Sequence, residues 1–296
     1  MQQWDAAIAF YEQATDLAKD EDFYYLFLGR ALMEKGRSSQ GEEQELFLQE
    51  SETALQTARE VAPLNTDHSR NLSKLYLSWA SLSQGVSRTD LFNQALGYSS
   101  DAVRLSPNTA DVLNERAQIY TSMGDFEQAE EVYRQSLALD DGYAKTYISL
   151  GGLYTARQEW DKAAETYQKA LELRPKSGEI YSNLGYVYSQ MQDLEAALGA
   201  NLKAVELRPR NYLDHQNLAI LYYQMGRVDD AIREATEALQ LAPDRQKPSL
   251  ESFLAQLGQP SAASAPADPQ KVQELLPLGR TQMDAEDWAA AGETYR

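Results

Sequence analysis

The spacing of the prolines constrains the fold of this chain more than any other feature. Pro175, Pro209 and Pro243 stand 34 residues apart, and Pro107 lies two such steps before Pro175. Proline ends a helix because it lacks the backbone N–H and its ring clashes with the preceding turn. A fixed period of this length is typical of a helical repeat array, in which each unit buries its apolar side against the next.

Residues 144–177 show the repeat most clearly. They carry two apolar stripes at the i, i+3, i+4, i+7 spacing of one helix face. The pattern predicts two amphipathic helices joined by a short turn, and Pro175 ends the second. The stripes consist of Tyr147, Leu150, Gly151 and Tyr154, and then of Ala163, Tyr167 and Ala170.

These residues resemble the tetratricopeptide repeat (TPR) family, whose unit has W-x2-L-G-x2-Y, then A-x3-F, A and P. The resemblance implies an all-α chain: a right-handed α-solenoid of tandem TPR helix pairs with no β-sheet. One departure from the pattern lies in the next unit, where Asn201 replaces the aromatic residue of the second helix. The resemblance implies little about activity, because a fold does not fix a function.

The predicted units follow one another along the chain. Four of them, residues 110–143, 144–177, 178–211 and 212–245, are regular repeats. Before them we expect the second helix of a truncated repeat (1–21) and two longer repeats with insertions (22–65 and 66–109). The first insertion predicts a polar loop at 36–45. After them we expect a capping helix (246–258), a Pro/Ala/Ser linker (259–270) and a truncated repeat (271–296). Because the sequence begins and ends inside a repeat, we expect it to be a piece of a longer protein.

The composition excludes several classes of function. The chain has no Cys, two His and 45 acidic against 27 basic residues, which gives a net charge of −18. Without Cys there is no disulfide and no thiolate metal site. The acidic balance disfavours nucleic acid and anionic membrane surfaces as partners.

No apolar run is long enough to span a bilayer and the N-terminus does not resemble a signal peptide, so we expect no membrane insertion. A cytoplasmic location is expected, with a membrane tether through other parts as the alternative.

The sequence predicts no catalytic, cofactor-binding or metal-binding residue, and therefore no enzyme. It contains no Gly-rich phosphate loop, no G-x-S-x-G and no H-E-x-x-H. His215 takes the first-helix position that Tyr147 and Tyr181 take elsewhere, which predicts packing between helices. His68 follows Thr66 and Asp67, either of which would cap a helix, so turn chemistry is the expected role of that segment.

The first helices of TPR proteins line a concave groove, and the resemblance implies that six positions of each repeat face it. At the sixth position Asn71, Asn183 and Asn217 recur, each directly before a leucine. An amide both donates and accepts, so a row of them can bind the main chain of an extended peptide. This row resembles the asparagine ladder of TPR proteins that bind peptides in this way. The alternative is that these side chains are merely solvated or bond to the adjacent repeat. The groove candidates are Asn71, Lys74, Asn114, Gln118, Asn183, Tyr186, Gln190, Gln216, Asn217, Tyr223 and Gln224.

Basic residues at two of these groove positions raise the possibility of a carboxylate clamp. Arg70 and Lys74 follow Arg30 of the preceding repeat, and some TPR families use Lys and Asn at comparable places to bind a C-terminal carboxylate. That pattern is not matched across the repeats. We expect the three cations to pair instead with acidic neighbours such as Glu34 and Asp67.

Three functional hypotheses follow. The first is a protein–protein interaction scaffold whose groove binds an extended polypeptide. The second is a soluble accessory region of a larger enzyme: residues 20–30 and 63–69 are similar to TPR regions attached to bacterial O-antigen polymerase or ligase-type membrane proteins, which would place the active site elsewhere. The third is self-association, in which the truncated repeat at 271–296 covers an apolar face around Trp4, Ile8 and Tyr11.

Overall fold

The computed structural model describes residues 2–83 and 86–258, and all regular structure in these ranges is α-helical. The all-α prediction is confirmed, since no strand occurs in the described residues. The predicted linker at 259–270 and the truncated repeat at 271–296 lie outside them. The helices are α1 (Gln2–Leu17), α2 (Asp22–Ser38), α3 (Gly41–Val61), α4 (Thr66–Leu82), α5 (Val86–Leu105), α6 (Ala110–Met123), α7 (Phe126–Leu139), α8 (Ala144–Ala156), α9 (Trp160–Leu173), α10 (Gly178–Gln190), α11 (Leu194–Leu207), α12 (Tyr212–Gln224), α13 (Val228–Leu241) and α14 (Lys247–Leu257).

The helices form two compact units, the first ending at Leu153 and the second beginning at Tyr154. Within each unit consecutive helices pack as pairs: α2 with α3, α4 with α5 and α6 with α7 in the first, α10 with α11 and α12 with α13 in the second. The first helix of a pair also packs on the first helix of the next pair, α2 on α4, α4 on α6 and α10 on α12. We call the side formed by these helices the first-helix face of its unit.

Small residues allow the two helices of a pair to approach closely. A Cβ atom added to Gly29 of α2 would lie only 2.5 Å from Cγ of Leu55 on α3, which is far below an ordinary contact distance. The second helices contribute fully buried alanines at recurring positions, and these are Ala129, Ala163, Ala170, Ala197, Ala204, Ala231 and Ala238. Alanine therefore serves as a spacer that sets the distance between helices rather than as a solvent-exposed helix former.

The polar loop predicted at residues 36–45 is wrong. Helix α2 continues to Ser38 and α3 begins at Gly41, so the extra residues lengthen both helices. The side chain of Gln44 donates from Nε2 to the carbonyl oxygens of Gly36 and Ser39, at 3.2 and 2.9 Å. Leu48 is buried and packs so close to Gly36 that an added Cβ would lie 3.0 Å from its Cγ. Tertiary packing thus keeps a polar segment helical.

The second long pair, α4 and α5, carries an aromatic extension of the core. The ring of Tyr76 stacks on Trp79 and on Tyr98, with ring centroids 6.1 and 5.5 Å apart. The indole Nε1 of Trp79 donates to Oε2 of Glu45 at 3.1 Å, which connects α4 to the long helix α3. Trp79 is buried and thus extends the apolar side of α4 toward its C-terminus.

Side chains at the helix N-termini satisfy backbone N–H groups that the helix leaves without an intrahelical partner. For α4 the capping residue is Asn65, whose Oδ1 accepts from the N–H of Asp67 at 3.1 Å. The prediction that Thr66 or Asp67 caps this helix is wrong by one or two positions. The same arrangement recurs with Asp125, Ser177, Asp193 and Asn211.

Candidate functional site

The predicted groove residues all lie on first helices. Three of them, Asn114, Gln216 and Asn183, are buried, while the others are partly exposed. By helix, the candidates are Asn71 and Lys74 on α4, Asn114 and Gln118 on α6, Asn183, Tyr186 and Gln190 on α10, and Gln216, Asn217, Tyr223 and Gln224 on α12.

In the second unit two polar side chains of α12 bond to α10. Nδ2 of Asn217 donates to Oγ of Ser182 at 3.2 Å, and Oγ of Ser189 donates to Oε1 of Gln224 at 2.9 Å. Asn217 thus bonds to the adjacent helix pair, which is the alternative to ligand contact. Asn183 differs, because its Oδ1 is buried and has no hydrogen-bond partner among the described residues.

In the first unit the amide nitrogens of Asn71 and Asn114 both donate hydrogen bonds within the protein. Nδ2 of Asn71 donates to the carbonyl oxygen of Asp67 at 2.7 Å, one turn earlier in its own helix. Nδ2 of Asn114 donates to Oγ1 of Thr146 at 2.8 Å, and that hydroxyl lies 3.1 Å from Oγ of Ser136. The Asn114 Oδ1 is buried and lacks a partner within the described part of the chain.

The cations at groove positions of α4 are paired with acids. Arg70 donates from Nε and Nη2 to the carboxylate of Glu115 on α6, at 2.9 and 2.6 Å, and it also bonds to Asp67 and Asp111. Nζ of Lys74 lies 2.8 Å from Oε1 of Glu115. The predicted pairing with Asp67 is confirmed for Arg70.

Glu34 does not pair with any of the three cations expected, but with Arg37. Its carboxylate lies 3.0 Å from Nη1 of Arg37, three residues further along α2. The guanidinium of Arg30 lies 5.9 Å from the centroid of the Phe27 ring. Arg30 therefore remains beside an aromatic ring rather than in the acidic cluster of α4 and α6.

Ionisation in this cluster follows from its contacts. The hydrogen bond with Glu115 is the largest influence on Arg70, and together with the neighbouring carboxylates it raises the pKa of the guanidinium against the effect of burial. Burial alone would raise the pKa of Asp111, but the hydrogen bond and charge of Lys145 and the charge of Arg70 lower it. The cations are thus neutralised within the face, which disfavours a carboxylate ligand there.

Both histidines have structural roles in the described residues. The ring of His215 lies 2.9 Å from Oε2 of Glu234 and 3.1 Å from the carbonyl oxygen of Pro209, so the prediction of packing between helices is confirmed. The turn role expected near His68 is wrong for its side chain, which is fully buried and lies 2.7 Å from Oδ2 of Asp22. Sequence reasoning missed this contact because the two residues are far apart along the chain.

The described residues form neither a metal cluster nor a membrane span. No group of three or more His, Cys, Asp or Glu side chains is placed to bind a metal ion within residues 2–83 and 86–258. None of the helices in these ranges is long and apolar enough to cross a membrane.

One residue that sequence reasoning did not place in the groove, Asn201 of α11, lines a small pocket between α10 and α12. Its Oδ1 is buried and has no hydrogen-bond partner in the part of the chain that the structure describes. The replacement of an aromatic residue at this position was visible in the sequence, but its consequence was not. The other lining residues are Gly185, Tyr186, Ser189, Asn217, Ile220 and Leu221.

Comparison with known families recognises repeats over the regular part of the chain. A model described as TPR repeat matches residues 151–192. Three models described as tetratricopeptide repeat match residues 110–143, 178–211 and 213–245. No curated protein matches the chain. None of these comparisons supports the resemblance to O-antigen polymerase or ligase-type proteins.

Two solved structures show the same fold at low identity. The APC/C hetero-tetramer Cut9-Hcn1 is 17% identical with a TM-score of 0.60, and the match covers 86% of this chain and 46% of that one. This chain thus spans about half the length of that relative. TTC0263, a thermophilic TPR protein in Thermus thermophilus, is 20% identical with a TM-score of 0.51, over 64% of this chain and 98% of that one. Together with the helix pairs described above, the family matches show that this chain contains tetratricopeptide repeats between residues 110 and 245.

Proposed function

We propose that this chain is a protein-interaction scaffold and that the first-helix face of its second unit binds the main chain of an extended polypeptide. The observation that carries the proposal is the buried Oδ1 of Asn183, an acceptor with no donor among the described residues. A buried polar atom without a partner is uncommon and calls for an explanation, because its desolvation is not offset. A peptide N–H is a donor of the required kind.

The arrangement of amides supports a main-chain ligand. An extended polypeptide presents alternating N–H and C=O groups, and an amide side chain can donate to one and accept from the other. Asn183 and Asn217 occupy equivalent positions of successive first helices, α10 and α12, which pack on each other. Because the last side-chain torsion of asparagine is broad, the Asn183 amide can turn toward a ligand at little cost.

The charges of this face favour a neutral contact. The groove candidates on α10 and α12 are Asn, Gln and Tyr, so they offer hydrogen bonds without a formal charge. The chain as a whole carries a net charge of −18, which repels strongly acidic partners. The proposed ligand is therefore a polypeptide segment that is not acidic, recognised through its main chain.

The shared fold is consistent with a binding role. The structure of Cut9-Hcn1 is a hetero-tetramer, in which a chain of similar fold assembles with other proteins.

The proposal is tested with a random peptide library displayed on phage, selected against the full chain. The double variant Asn183→Ala, Asn217→Ala should bind the selected peptides at least about tenfold more weakly, which corresponds to about 1.4 kcal/mol. Its helical circular dichroism should match that of the unmodified chain.

The matched control is Asn93→Ala, which removes an exposed amide from the second helix α5. It should leave the affinity unchanged. Equal affinity of the double variant and the unmodified chain would show that the first-helix face is not the binding surface.

A further inference from the structure

The pocket at Asn201 arises from a difference between repeats. Tyr133 of α7 and Tyr167 of α9 occupy the corresponding position of their repeats, and both are buried. Asn201 is equally buried but has a smaller side chain, so it fills less of the space between its helix and the first helices. The remaining cavity has a volume of about 20 Å³. A volume of this size accommodates one water-sized group.

The pocket combines apolar surface with one buried hydrogen-bond acceptor. Ile220 and Leu221 supply apolar surface, while the buried Oδ1 of Asn201 has no donor in the described part of the molecule. Two other polar residues of the pocket already have partners on the neighbouring first helix: Asn217 bonds to Ser182, and Ser189 bonds to Gln224. The Asn201 Oδ1 is therefore an unmet acceptor in largely apolar surroundings.

The pocket adjoins the proposed binding face. Tyr186 and Asn217, which line it, are groove candidates on α10 and α12. A polypeptide that lies along these two helices therefore passes the pocket and can place a short side chain into it.

We propose that the Asn201 pocket is a subsite for the hydroxyl group of a serine or threonine in the bound polypeptide, an inference that rests on the proposed function. The hydroxyl donates to Oδ1 of Asn201, and the amide turns about its last torsion to meet it. An alanine methyl would leave the acceptor without a donor, and a carboxylate would add a second acceptor. The cavity accommodates the hydroxyl group alone, so an aromatic ring does not fit. A main-chain N–H does not reach Oδ1 of Asn201, because the two Cα atoms that flank the peptide bond do not fit into the cavity.

The decisive experiment uses two small probes of nearly the same shape and does not require a peptide. Propan-2-ol has a hydroxyl donor, whereas acetone has only an acceptor. In titrations of the full chain followed by NMR, propan-2-ol should cause saturable shifts of the backbone amide signals of Gly185, Asn201 and Asn217. Acetone should bind at least about fivefold more weakly at these signals. Absence of saturable shifts with propan-2-ol, or equal binding of both probes, would overturn the inference.

Two variants separate shape from hydrogen bonding. Asn201→Leu has the same number and branching of side-chain heavy atoms and removes the acceptor, so it should abolish the preference for propan-2-ol over acetone. Asn201→Tyr restores the residue type found at this position in two other repeats and should remove binding of both probes. Retention of the propan-2-ol preference in the folded Leu variant would also contradict the inference.

Peptide selection distinguishes this inference from the proposed function. If library peptides bind, replacement of their common serine or threonine by alanine should weaken binding to the unmodified chain about five- to tenfold, and to the Asn201→Leu variant less than about twofold. An equal loss of peptide affinity with both proteins would contradict the proposed subsite, whereas the proposed function as a scaffold would still stand. If no peptide binds, the proposed function fails, while the propan-2-ol titration still decides the pocket.

Discussion

The side chain of Asn201 on α11 lies where a Cβ atom of residue 185 on α10 would be, and residue 185 is a glycine. A Cβ atom added to Gly185 would overlap Oδ1 of Asn201 and lie 2.7 Å from its Cγ. The amide can therefore lie against the backbone of α10 only because position 185 has no side chain. This close approach places Asn201 beside the pocket between α10 and α12.

The first prediction is that Gly185→Ala lowers the free energy of unfolding by about 1–3 kcal/mol, because the added methyl group overpacks the helix contact. In an Asn201→Ser background the loss should be smaller, since the shorter side chain vacates the space. Urea unfolding of the four proteins of this double-mutant cycle measures the coupling.

The control for this prediction is Gly199→Ala in the interior of α11. No described atom outside the local helix lies within 4 Å of a Cβ built at this position. The substitution should stabilise the chain by about 0.5–1 kcal/mol, because alanine loses less backbone entropy on folding than glycine. If both alanine substitutions have the same sign, the proposed clash is wrong.

The helix positions could largely be predicted because their signals are local. The prolines that end helices, the alanines between helices and the apolar face recur with a period of 34 residues. Each of these features affects the backbone within one or two helical turns of its own position. The predicted loop at 36–45 failed for the opposite reason. A polar composition suits both a loop and the exposed side of a helix, and the buried contact between Leu48 and Gly36 is a tertiary feature.

The sequence identified candidate residues of the first-helix face, but it did not predict their hydrogen-bond partners. The sequence placed Asn183 and Asn217 at equivalent positions, but it could not show that Asn217 bonds to Ser182 while the Asn183 Oδ1 has no partner among the described residues. The pairing of Arg70 with Glu115 likewise joins residues in different helices. Such contacts depend on the angle and distance between helices, which the repeat pattern alone does not specify.

The second prediction concerns the lengthened helices. Leu48→Ala in α3 should lower the free energy of unfolding by about 2–5 kcal/mol, because Leu48 is only 1% exposed and its removal leaves a cavity beside α2. Leu46→Ala in the same helix is the matched control, since that side chain is 52% exposed. Its effect should stay within about 0.5 kcal/mol. Similar losses in urea unfolding would mean that the extra residues do not pack as described.

The third prediction concerns the acidic and basic cluster of α4 and α6. Arg70→Ala should destabilise the chain by about 1–3 kcal/mol, because it leaves the partly buried carboxylates of Glu115 and Asp111 with fewer donors. Lys74→Ala should cost less than about 1 kcal/mol, because the Lys74 side chain is 41% exposed.

Thermal unfolding at low and high salt checks the difference between these two variants. The loss caused by Arg70→Ala should persist at high salt, since partly buried pairs are screened less than exposed ones. An equal effect of both substitutions would indicate that the hydrogen bonds between Arg70 and Glu115 add nothing beyond charge.

The fourth prediction is a loss of stability in alkali through Tyr133 of α7. Burial raises the pKa of the Tyr133 phenol to about 12, against the opposing effect of hydrogen bonds with Thr121 and Ser149. In the unfolded chain the phenol ionises near its usual pKa of about 10. The folded chain therefore keeps a proton that the unfolded chain releases, and the stabilisation is complete below pH of about 10 and is lost as the pH rises to about 12.

The loss expected from this single group is about 2–3 kcal/mol over that interval. Tyr133→Phe retains the ring and removes the ionisation, so the unfolding free energy of this variant should fall less steeply with pH in urea titrations. The unfolding free energy of this variant should still fall somewhat with pH, because burial also raises the pKa of Tyr76. If the variant and the unmodified chain show the same dependence on pH, ionisation of Tyr133 does not limit alkaline stability.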